Sequence, residues 1–417
     1  MKNVKRVVLS FLVVFGLVAS SMQAMTVQAA TTSPQVDAKA GLAVDANSGQ
    51  ILYQQNANQV LPIGSMTKLI TVYLTLQAIQ QGKLHWQSKV KVTDQAYQLT
   101  KNTELTNVPL AQNGEYTIKT LYQAALISSA NSAAILLGDA FAGNQTKAVD
   151  QMRALLKKWG IQDATIVNTS GLNNEDLEGH IYPGSGEKAE NKMTAEDMAI
   201  VARHLIDDFP QVLQTTKLTK ATFKATATTT SDMTTWNYML PGQQAAVSDL
   251  PVDGLKTGTT DAAGACFTGT VTKNGARLIT VVMHANQGDD DANARFTETA
   301  KIMHAVYQQN QQVTLKPKAT VKIKTGQTTT TTAKTKQALT YWVPKGQKAT
   351  YKLRLKTTLA APTKAQTKAG VAEVTLPAQT RQFLKGSTGT KVPVYTQKAV
   401  KKASIGQQIN RLWQHLF

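Results

Sequence analysis

Apolar and polar positions over about residues 33–312 change repeatedly between the two-residue period of a strand and the period of a helix. Alternating or short apolar runs predict strands over residues 40–45, 51–53 and 277–283. Apolar residues recur at helical spacing over residues 69–79, 117–142, 194–206 and 292–307. The turn Asn47-Ser48-Gly49 joins the first two strands as a hairpin, and Thr194 stands at an N-cap. The polar, glycine-rich residues 173–191 are typical of a surface loop.

From about residue 314 the pattern changes. Short alternating stretches predict a small β domain, with strands over residues 319–324, 349–355 and 391–395 and a turn or loop over residues 328–332. Residues 403–417 return to a helical period. One side of this helix is apolar and aromatic: Ile405, Ile409, Leu412, Trp413, Leu416 and Phe417. With Lys398, Lys401 and Lys402 just upstream, the helix resembles an interfacial membrane anchor, although it would also suit packing on its own domain.

The N-terminus has the pattern of a secretory signal. Lys2, Lys5 and Arg6 precede an apolar run over about residues 7–19, and small residues follow up to Ala29. A retained membrane anchor is the alternative, but the run is shorter than the roughly 20 residues of a spanning helix. We therefore expect residues 1–29 to be removed and the mature protein to work outside the cytoplasm.

Positive charge is concentrated at one end of the chain. The formal net charge is +19, and residues 311–417 hold 20 Lys and Arg against one acid, Glu373, so that residues 1–310 sum to zero. This difference predicts two domains with different partners, with boundaries at 30–312, 313–398 and 399–417. Because the protein is predicted to be secreted, anionic lipid or wall polymer is the expected partner of the basic part, and nucleic acid is not.

Cysteine and histidine give no support for a metal or cofactor. The single cysteine, Cys266, excludes an intramolecular disulfide and a multi-cysteine metal site, and the six histidines lack metal-ligand spacing. We expect Cys266 to be a buried strand residue. No cofactor is predicted.

The first candidate catalytic motif is Ser65-Met66-Thr67-Lys68, at the start of a predicted helix. A serine hydroxyl needs a nearby base to become a nucleophile. Residues three apart lie on one face of a helix, so the Lys68 amine can reach Ser65. Lys68 can act as that base only if burial or another cation lowers its pKa.

Two further motifs follow in order. Ser129-Ala130-Asn131 places a hydroxyl and an amide inside an apolar segment, where polar groups are costly without a role. In Lys256-Thr257-Gly258, the glycine lets a substrate backbone approach a strand edge, while lysine and threonine can hold a terminal carboxylate. Each motif alone is weak. In this order the three are the signature of β-lactamases and penicillin-binding proteins, here with S-A-N in place of S-D-N.

The chain resembles the low-molecular-mass penicillin-binding proteins, and among them the serine-type D-alanyl-D-alanine carboxypeptidases. The resemblance covers about residues 38–310, and its main stretches are residues 62–68, 128–134, 167–172 and 252–258. It implies an α+β fold, with a β-lactamase/transpeptidase-like catalytic domain of an antiparallel sheet, flanking helices and a helical subdomain. A small all-β domain and a C-terminal amphipathic helix would follow.

The resemblance also implies residue roles. Ser65 would attack the penultimate D-Ala carbonyl of a peptidoglycan stem peptide ending in D-Ala-D-Ala, and Lys68 would take its proton. Ser129 would pass a proton to the leaving amine. Asn131 would hold the substrate amide, Lys256 and Thr257 the terminal carboxylate, and the N–H groups of Ser65 and Thr259 the oxyanion. β-Lactams would acylate the same serine.

Other functions fit parts of the same pattern. A serine β-lactamase shares all three motifs but would rarely carry a basic β domain and a terminal anchor. Transpeptidase or endopeptidase side activity uses the same residues, and a catalytically silent wall-binding module would not need them. The stem peptide and the oligomeric state stay open.

Overall fold

The structure is a computed structural model that describes residues 34–285, 291 and 293–416, without the side chains of residues 415 and 416. The predicted signal over residues 1–29 lies outside the described residues. Within the described ranges, no helix is long and apolar enough to cross a membrane.

The strands, in chain order, are β1 (Ala38–Asp45), β2 (Ile51–Gln55), β3 (Leu61–Pro62), β4 (Lys89–Lys91), β5 (Glu115–Thr117), β6 (Lys192–Met193), β7 (Lys220–Lys224), β8 (Thr230–Thr234), β9 (Val252–Gly258), β10 (Ala265–Lys273), β11 (Ala276–Ala285), β12 (Asn310–Leu315), β13 (Lys318–Lys324), β14 (Thr330–Lys334), β15 (Leu339–Pro344), β16 (Thr350–Leu355), β17 (Leu359–Ala360), β18 (Lys368–Thr375) and β19 (Lys391–Thr396). The helices are α1 (Lys68–Gln80), α2 (Asp94–Leu99), α3 (Ile118–Ile127), α4 (Asn131–Ala142), α5 (Gln145–Lys158), α6 (Ala195–Asp208), α7 (Val212–Thr216), α8 (Ala294–Gln309) and α9 (Ile405–Leu416). Short 3₁₀ turns cover Gly64–Thr67, Asn174–Leu177 and Ala378–Thr380.

A five-stranded antiparallel sheet in the order β2-β1-β11-β10-β9 forms the centre of the catalytic part. The predicted hairpin is β1–β2, and the predicted strand over residues 277–283 lies within β11. Strand β9 is an edge strand of this sheet, with Lys256 opposite Thr268 and Thr257 opposite Phe267 of β10. Its other edge is therefore free to face a cleft.

Helices cover the sheet and build a separate helical layer. The predicted helices over residues 69–79, 194–206 and 292–307 are α1, α6 and α8. Thr194 caps α6 as predicted, in a capping box with Asp197. Helices α1 and α6 pack into one large core with the sheet, whereas α3 and α4 form a second core with β7 and β8.

The continuous helix predicted over residues 117–142 is wrong. Helix α3 ends at Ile127, and α4 begins at Asn131. Ser128 turns its hydroxyl back onto Ala124 O at 3.0 Å, and Ser129 adopts a left-handed φ of 60°. The apolar period continues across the break because both helices are buried, so periodicity alone does not reveal it.

The segment over residues 173–191 is only partly the surface loop that its composition indicates. Its middle is exposed, but Asn174, Leu177, Glu190 and Asn191 are buried. The two ends of the loop are therefore part of the core beside the cleft.

The C-terminal part forms a sheet in the order β16-β18-β19-β14-β13-β17, with β12 and β15 paired beside it. The three predicted strands correspond to β13, β16 and β19. The loop predicted over residues 328–332 is wrong in its second half, because β14 begins at Thr330. Thr330, Thr331 and Thr332 pair with β13. Threonine favours strands, but a run of identical residues shows no alternation from which this strand could be predicted.

The C-terminal β domain forms hydrogen bonds with the β1–β2 turn of the catalytic part. The Gln50 amide bonds both main-chain groups of Trp342, at 2.8 Å each. The Trp342 indole donates to Asp45 Oδ2 at 2.9 Å, and Leu384 N donates to Gly49 O at 2.8 Å. Buried polar contacts of this kind hold the two domains in one arrangement.

Candidate active site

The turn that carries Ser65 lies directly against the end of β9. A Cβ on Gly64, which has φ 49°, would stand 2.8 Å from Thr259 N, and one on Gly258 would stand 2.3 Å from Ile63 O. Glycine at both positions therefore allows the closest backbone approach. As a result, the turn and the strand end line one cleft, with Ser65, Thr257 and Thr259 on its wall.

Lys68 lies beneath Ser65 and is completely buried. Its Nζ is 2.8 Å from Ser65 Oγ, 2.7 Å from Asn131 Oδ1 and 2.7 Å from Ser170 O. Burial, and then the nearby charge of Lys256, lowers the pKa of Lys68 well below its ordinary value. A neutral amine has two N–H groups, which the two carbonyl oxygens accept. Its lone pair is then left for the Ser65 hydroxyl.

The Ser129 turn forms another part of the cleft wall. Ser129 and Asn131 are buried in the protein but border the cleft. Asn131 is fixed by its backbone N–H and its Nδ2, which donate to Thr106 O at 2.9 and 3.1 Å. The break between α3 and α4 therefore places a hydroxyl and an amide beside the nucleophile.

Lys256 is the third-last residue of β9 and is buried. Its Nζ donates to Thr257 O at 3.1 Å. Burial, and then the charge of Arg295, lowers the pKa of Lys256 to about 7. All eight residues that the sequence proposes, Ser65, Lys68, Ser129, Asn131, Lys256, Thr257, Gly258 and Thr259, thus lie on the three segments that meet at this cleft.

Sequence reasoning missed two asparagines that hold the base in place. The Asn168 Oδ1 accepts from Ser170 N at 3.2 Å and Gly171 N at 2.6 Å, which shapes the turn whose Ser170 O meets Lys68. The Asn191 Nδ2 donates to Asn168 O at 2.9 Å and to Thr67 Oγ1 at 3.0 Å in the nucleophile turn. The sequence signal was residues 167–172, which carry part of the family resemblance without a stated role.

Arg295 was also missed. It is buried at the start of α8, lines the cleft, and donates from Nη1 to Gly258 O at 2.9 Å and Cys266 O at 3.1 Å. It adds a permanent positive charge at the Lys256 end of the cleft. Cys266 is a buried residue of β10, as expected, and burial raises the pKa of its thiol to about 11.

The cleft has a volume of about 530 Å³, and its wall carries charged residues of both signs. Acidic residues line part of it: Glu104, Glu175, Asp176 and Asp261. Burial, and then these acidic neighbours, raises the pKa of Asp176. Among the described residues, no group of three or more His, Cys, Asp and Glu is placed to hold a metal ion.

A serine beside a buried amine whose pKa is lowered, in a cleft with a cationic end, defines the class of serine acyl-enzymes. Comparison with known proteins makes this specific. A family model described as D-alanyl-D-alanine carboxypeptidase matches residues 26–287, and one for the C-terminal domain of penicillin-binding protein 5 matches residues 302–402. The chain therefore belongs to the D-alanyl-D-alanine carboxypeptidase family.

Curated relatives carry the same description. The D-alanyl-D-alanine carboxypeptidase DacC of Escherichia coli is 31% identical over 292 residues, which is 69% of this chain and 66% of that protein. The carboxypeptidase DacF of Bacillus subtilis is 28% identical over 297 residues, which is 70% of this chain and 68% of that protein. The matched region thus spans about two thirds of each relative.

Solved structures of penicillin-binding proteins have the same fold. PBP3 of Streptococcus pneumoniae, described as a peptidoglycan synthesis regulatory factor, aligns with a TM-score of 0.77 at 38% identity, over 88% of this chain and 100% of that one. Penicillin-binding protein D2 of Listeria monocytogenes, in an ampicillin-bound form, aligns with a TM-score of 0.53 at 30% identity, over 66% of this chain and 99% of that one. The predicted family, the α+β fold with its following β domain, and the enzyme class are confirmed.

Proposed function

We propose that this protein removes the terminal D-Ala from peptidoglycan stem peptides through an acyl-enzyme on Ser65. The single observation that carries this proposal is the Lys68 amine, buried, 2.8 Å from Ser65 Oγ and held by two carbonyl oxygens. Such an amine can accept the Ser65 proton as the oxygen attacks the carbonyl carbon of the penultimate D-Ala. The backbone N–H groups of Ser65 and Thr259 would stabilise the oxyanion.

Collapse of the tetrahedral intermediate breaks the peptide bond and releases D-Ala as an amine. In our proposal Ser129 hands the required proton to that amine, and Lys68 returns its own proton to Ser129. Asn131 holds the amide of the acyl half. Water, activated by the same lysine, then hydrolyses the ester and restores Ser65.

The cationic end of the cleft supports recognition of a free carboxylate. Lys256 and Arg295 are both buried there, and Thr257 offers a hydroxyl on the cleft wall. A peptide that ends in D-Ala would place its carboxylate at this end, which favours removal of the last residue over internal cleavage. β-Lactams also carry a carboxylate near their reactive carbonyl, so we propose that they acylate Ser65 as well.

Release of D-Ala from an acetylated Lys-D-Ala-D-Ala peptide tests this function. We expect release that stops after preincubation with penicillin, because both compounds need Ser65. A mass increase equal to one penicillin should persist for longer than one turnover of the peptide. Rapid turnover of penicillin, without release of D-Ala, would instead support a β-lactamase.

We also propose secretion, with the domain boundaries given from the sequence, and peripheral attachment to the outer face of the membrane. The support for membrane attachment lies in α9, where Ile405, Ile409, Leu412 and Trp413 are between 50% and 78% exposed. An apolar face this open, next to exposed Lys401 and Lys402, suits anionic lipid. Deleting residues 403–417 should release the protein from membranes and leave D-Ala release intact; continued sedimentation with membranes would contradict the proposal.

A further inference from the structure

Trp236 is an exposed aromatic residue in the wall of the catalytic cleft. Its side chain is 47% exposed, and among the described residues it is the one exposed large apolar side chain that lines this cleft. Tryptophan combines a large apolar ring with one N–H donor, and this combination suits contact with a ligand.

The residues on both sides of Trp236 are buried and hydrogen-bonded. Its neighbours Thr235 and Asn237 are both 5% exposed, and Asn237 N donates to Thr235 Oγ1 at 3.0 Å. Asn237 Oδ1 in turn accepts from Met239 N at 3.2 Å. The backbone that carries the indole is therefore held beside the cleft.

The ring lies at the end of the cleft that we propose to bind the terminal carboxylate of the substrate. Trp236 borders a small space of about 10 Å³ together with Lys256 and Thr257, and it lines the cleft beside Ser129. In the proposed reaction Lys256 and Thr257 hold the terminal carboxylate and Ser129 serves the leaving amine. In that reaction the side chain of the leaving residue would lie between these groups, next to the indole.

The indole N–H makes a second connection. Nε1 donates to Ser128 O at 3.3 Å, on the residue that precedes Ser129. Ser129 has a left-handed φ of 60°, a strained backbone for a serine, so its turn depends on the surrounding bonds. Trp236 thus ties the Ser129 turn to the segment that leads into β9.

We propose that Trp236 limits the size of the leaving residue through its ring and positions Ser129 through its N–H. This inference rests on the proposed carboxypeptidase function. The ring closes the leaving-residue pocket around a methyl group, so D-Ala fits and larger D-residues do not. The N–H keeps Ser129 in place for protonation of the leaving amine.

The two roles separate in two variants and two substrates. The substrates are acetylated Lys-D-Ala-D-Ala and acetylated Lys-D-Ala-D-Leu, which differ only in the leaving residue. Trp236→Ala removes both ring and N–H, whereas Trp236→Phe keeps a ring and removes the N–H. Tyr351→Ala, an exposed aromatic of the β domain at 37% exposure, is the matched control.

Trp236→Ala should lower the preference for D-Ala over D-Leu, measured as the ratio of kcat/KM values, by about tenfold or more. Trp236→Phe should keep most of that preference and lower kcat for both peptides by about fivefold, with KM little changed. Tyr351→Ala should change neither quantity.

An unchanged D-Ala preference in Trp236→Ala would overturn the size limit. Unchanged kcat in Trp236→Phe would overturn the positioning role. A loss of kcat explained by a lowered melting temperature of this variant would also overturn it. If the unmodified protein released no D-Ala from either peptide, the proposed function itself would fail, whatever the variants did.

Discussion

Two buried lysines of the catalytic part contrast with the exposed lysines of the C-terminal part. In the catalytic part, Lys68 and Lys256 are 0% and 2% exposed and lie next to the nucleophile. In the C-terminal part, lysines such as Lys398, Lys401 and Lys402 point into solvent. Burial makes the first pair reactive groups with lowered pKa values, whereas exposure makes the others a charged surface. The environment decides the role of a lysine, and the residue type does not.

The largest effect should come from Lys68→Arg, which replaces the proposed base with a permanent cation. Arginine stays protonated in proteins, so it cannot accept the Ser65 proton. We expect acylation by penicillin to slow by about a thousandfold or more, a typical loss for a removed general base. The rate of adduct formation, followed by intact mass, measures this.

Lys398→Arg is the matched control, because the same change at an exposed lysine should leave acylation unchanged. A loss of less than about tenfold for Lys68→Arg would show that a charge, and not a base, is needed at this position.

The pH profile of kcat/KM should reflect the titration of both buried lysines, Lys68 and Lys256. The pKa of Lys68 is lowered, so this amine becomes neutral and active as pH rises through that value, which gives the ascending limb. The pKa of Lys256 is lowered to about 7. Above that pH Lys256 loses the charge that attracts the carboxylate, which gives the descending limb. The profile should therefore be a bell.

Lys256→Gln should remove the descending limb and lower kcat/KM by about 10- to 100-fold, through loss of a charged hydrogen bond. A descending limb that persists in this variant would assign it to another group. In the enzyme–substrate complex the bound carboxylate should move this limb to higher pH.

Asn191→Leu should have a smaller effect that follows from geometry. The variant loses the bonds to Thr67 and Asn168, so the turn that presents Ser170 O loosens and Lys68 is held less firmly. We expect acylation to slow by about tenfold and the free energy of unfolding to fall by about 1–3 kcal/mol. Acylation kinetics and thermal unfolding measure the two.

Asn144→Ala is the matched control, because Asn144 caps α5 by accepting from Lys147 N at 2.9 Å. The Asn144→Ala variant should lose about 1 kcal/mol of stability, and its rate of acylation should stay unchanged. Equal slowing in both variants would mean that Asn191 acts through stability alone.

The smallest effect on catalysis should come from the double change Lys401→Gln and Lys402→Gln, which should weaken only membrane binding. Each exposed lysine contributes about 1 kcal/mol at an anionic surface, or about fivefold in binding per residue. Sedimentation with vesicles that contain an anionic lipid measures this loss, and penicillin acylation should stay unchanged. Unchanged vesicle binding would remove these lysines from the proposed membrane surface.

Local signals in the sequence predicted much of the site. The three-residue spacing of Ser65 and Lys68 and the glycine after Thr257 are local, and each predicted its own geometry. Asn168, Asn191, Trp236 and Arg295 come to the cleft from distant segments, so no spacing reveals them. The break before Asn131 was missed because buried helices on both sides continue one apolar period.

In the C-terminal domain the sequence predicted individual strands but not how they pair. Alternation along β13, β16 and β19 is visible in each strand, but pairing is not. The strand at Thr330 was missed because a run of threonine shows no contrast between its two faces, although β13 pairs with it. Pairing between distant segments depends on the folded sheet.

The most direct test of this account is made on Ser65→Ala, with D-Ala release from acetylated Lys-D-Ala-D-Ala and penicillin labelling by intact mass measured side by side. The account predicts that both are abolished while the melting temperature is retained, because Ser65 lies on the cleft wall and Lys68 keeps its contacts with Asn131 and Ser170. Release of D-Ala that survives in Ser65→Ala would contradict it.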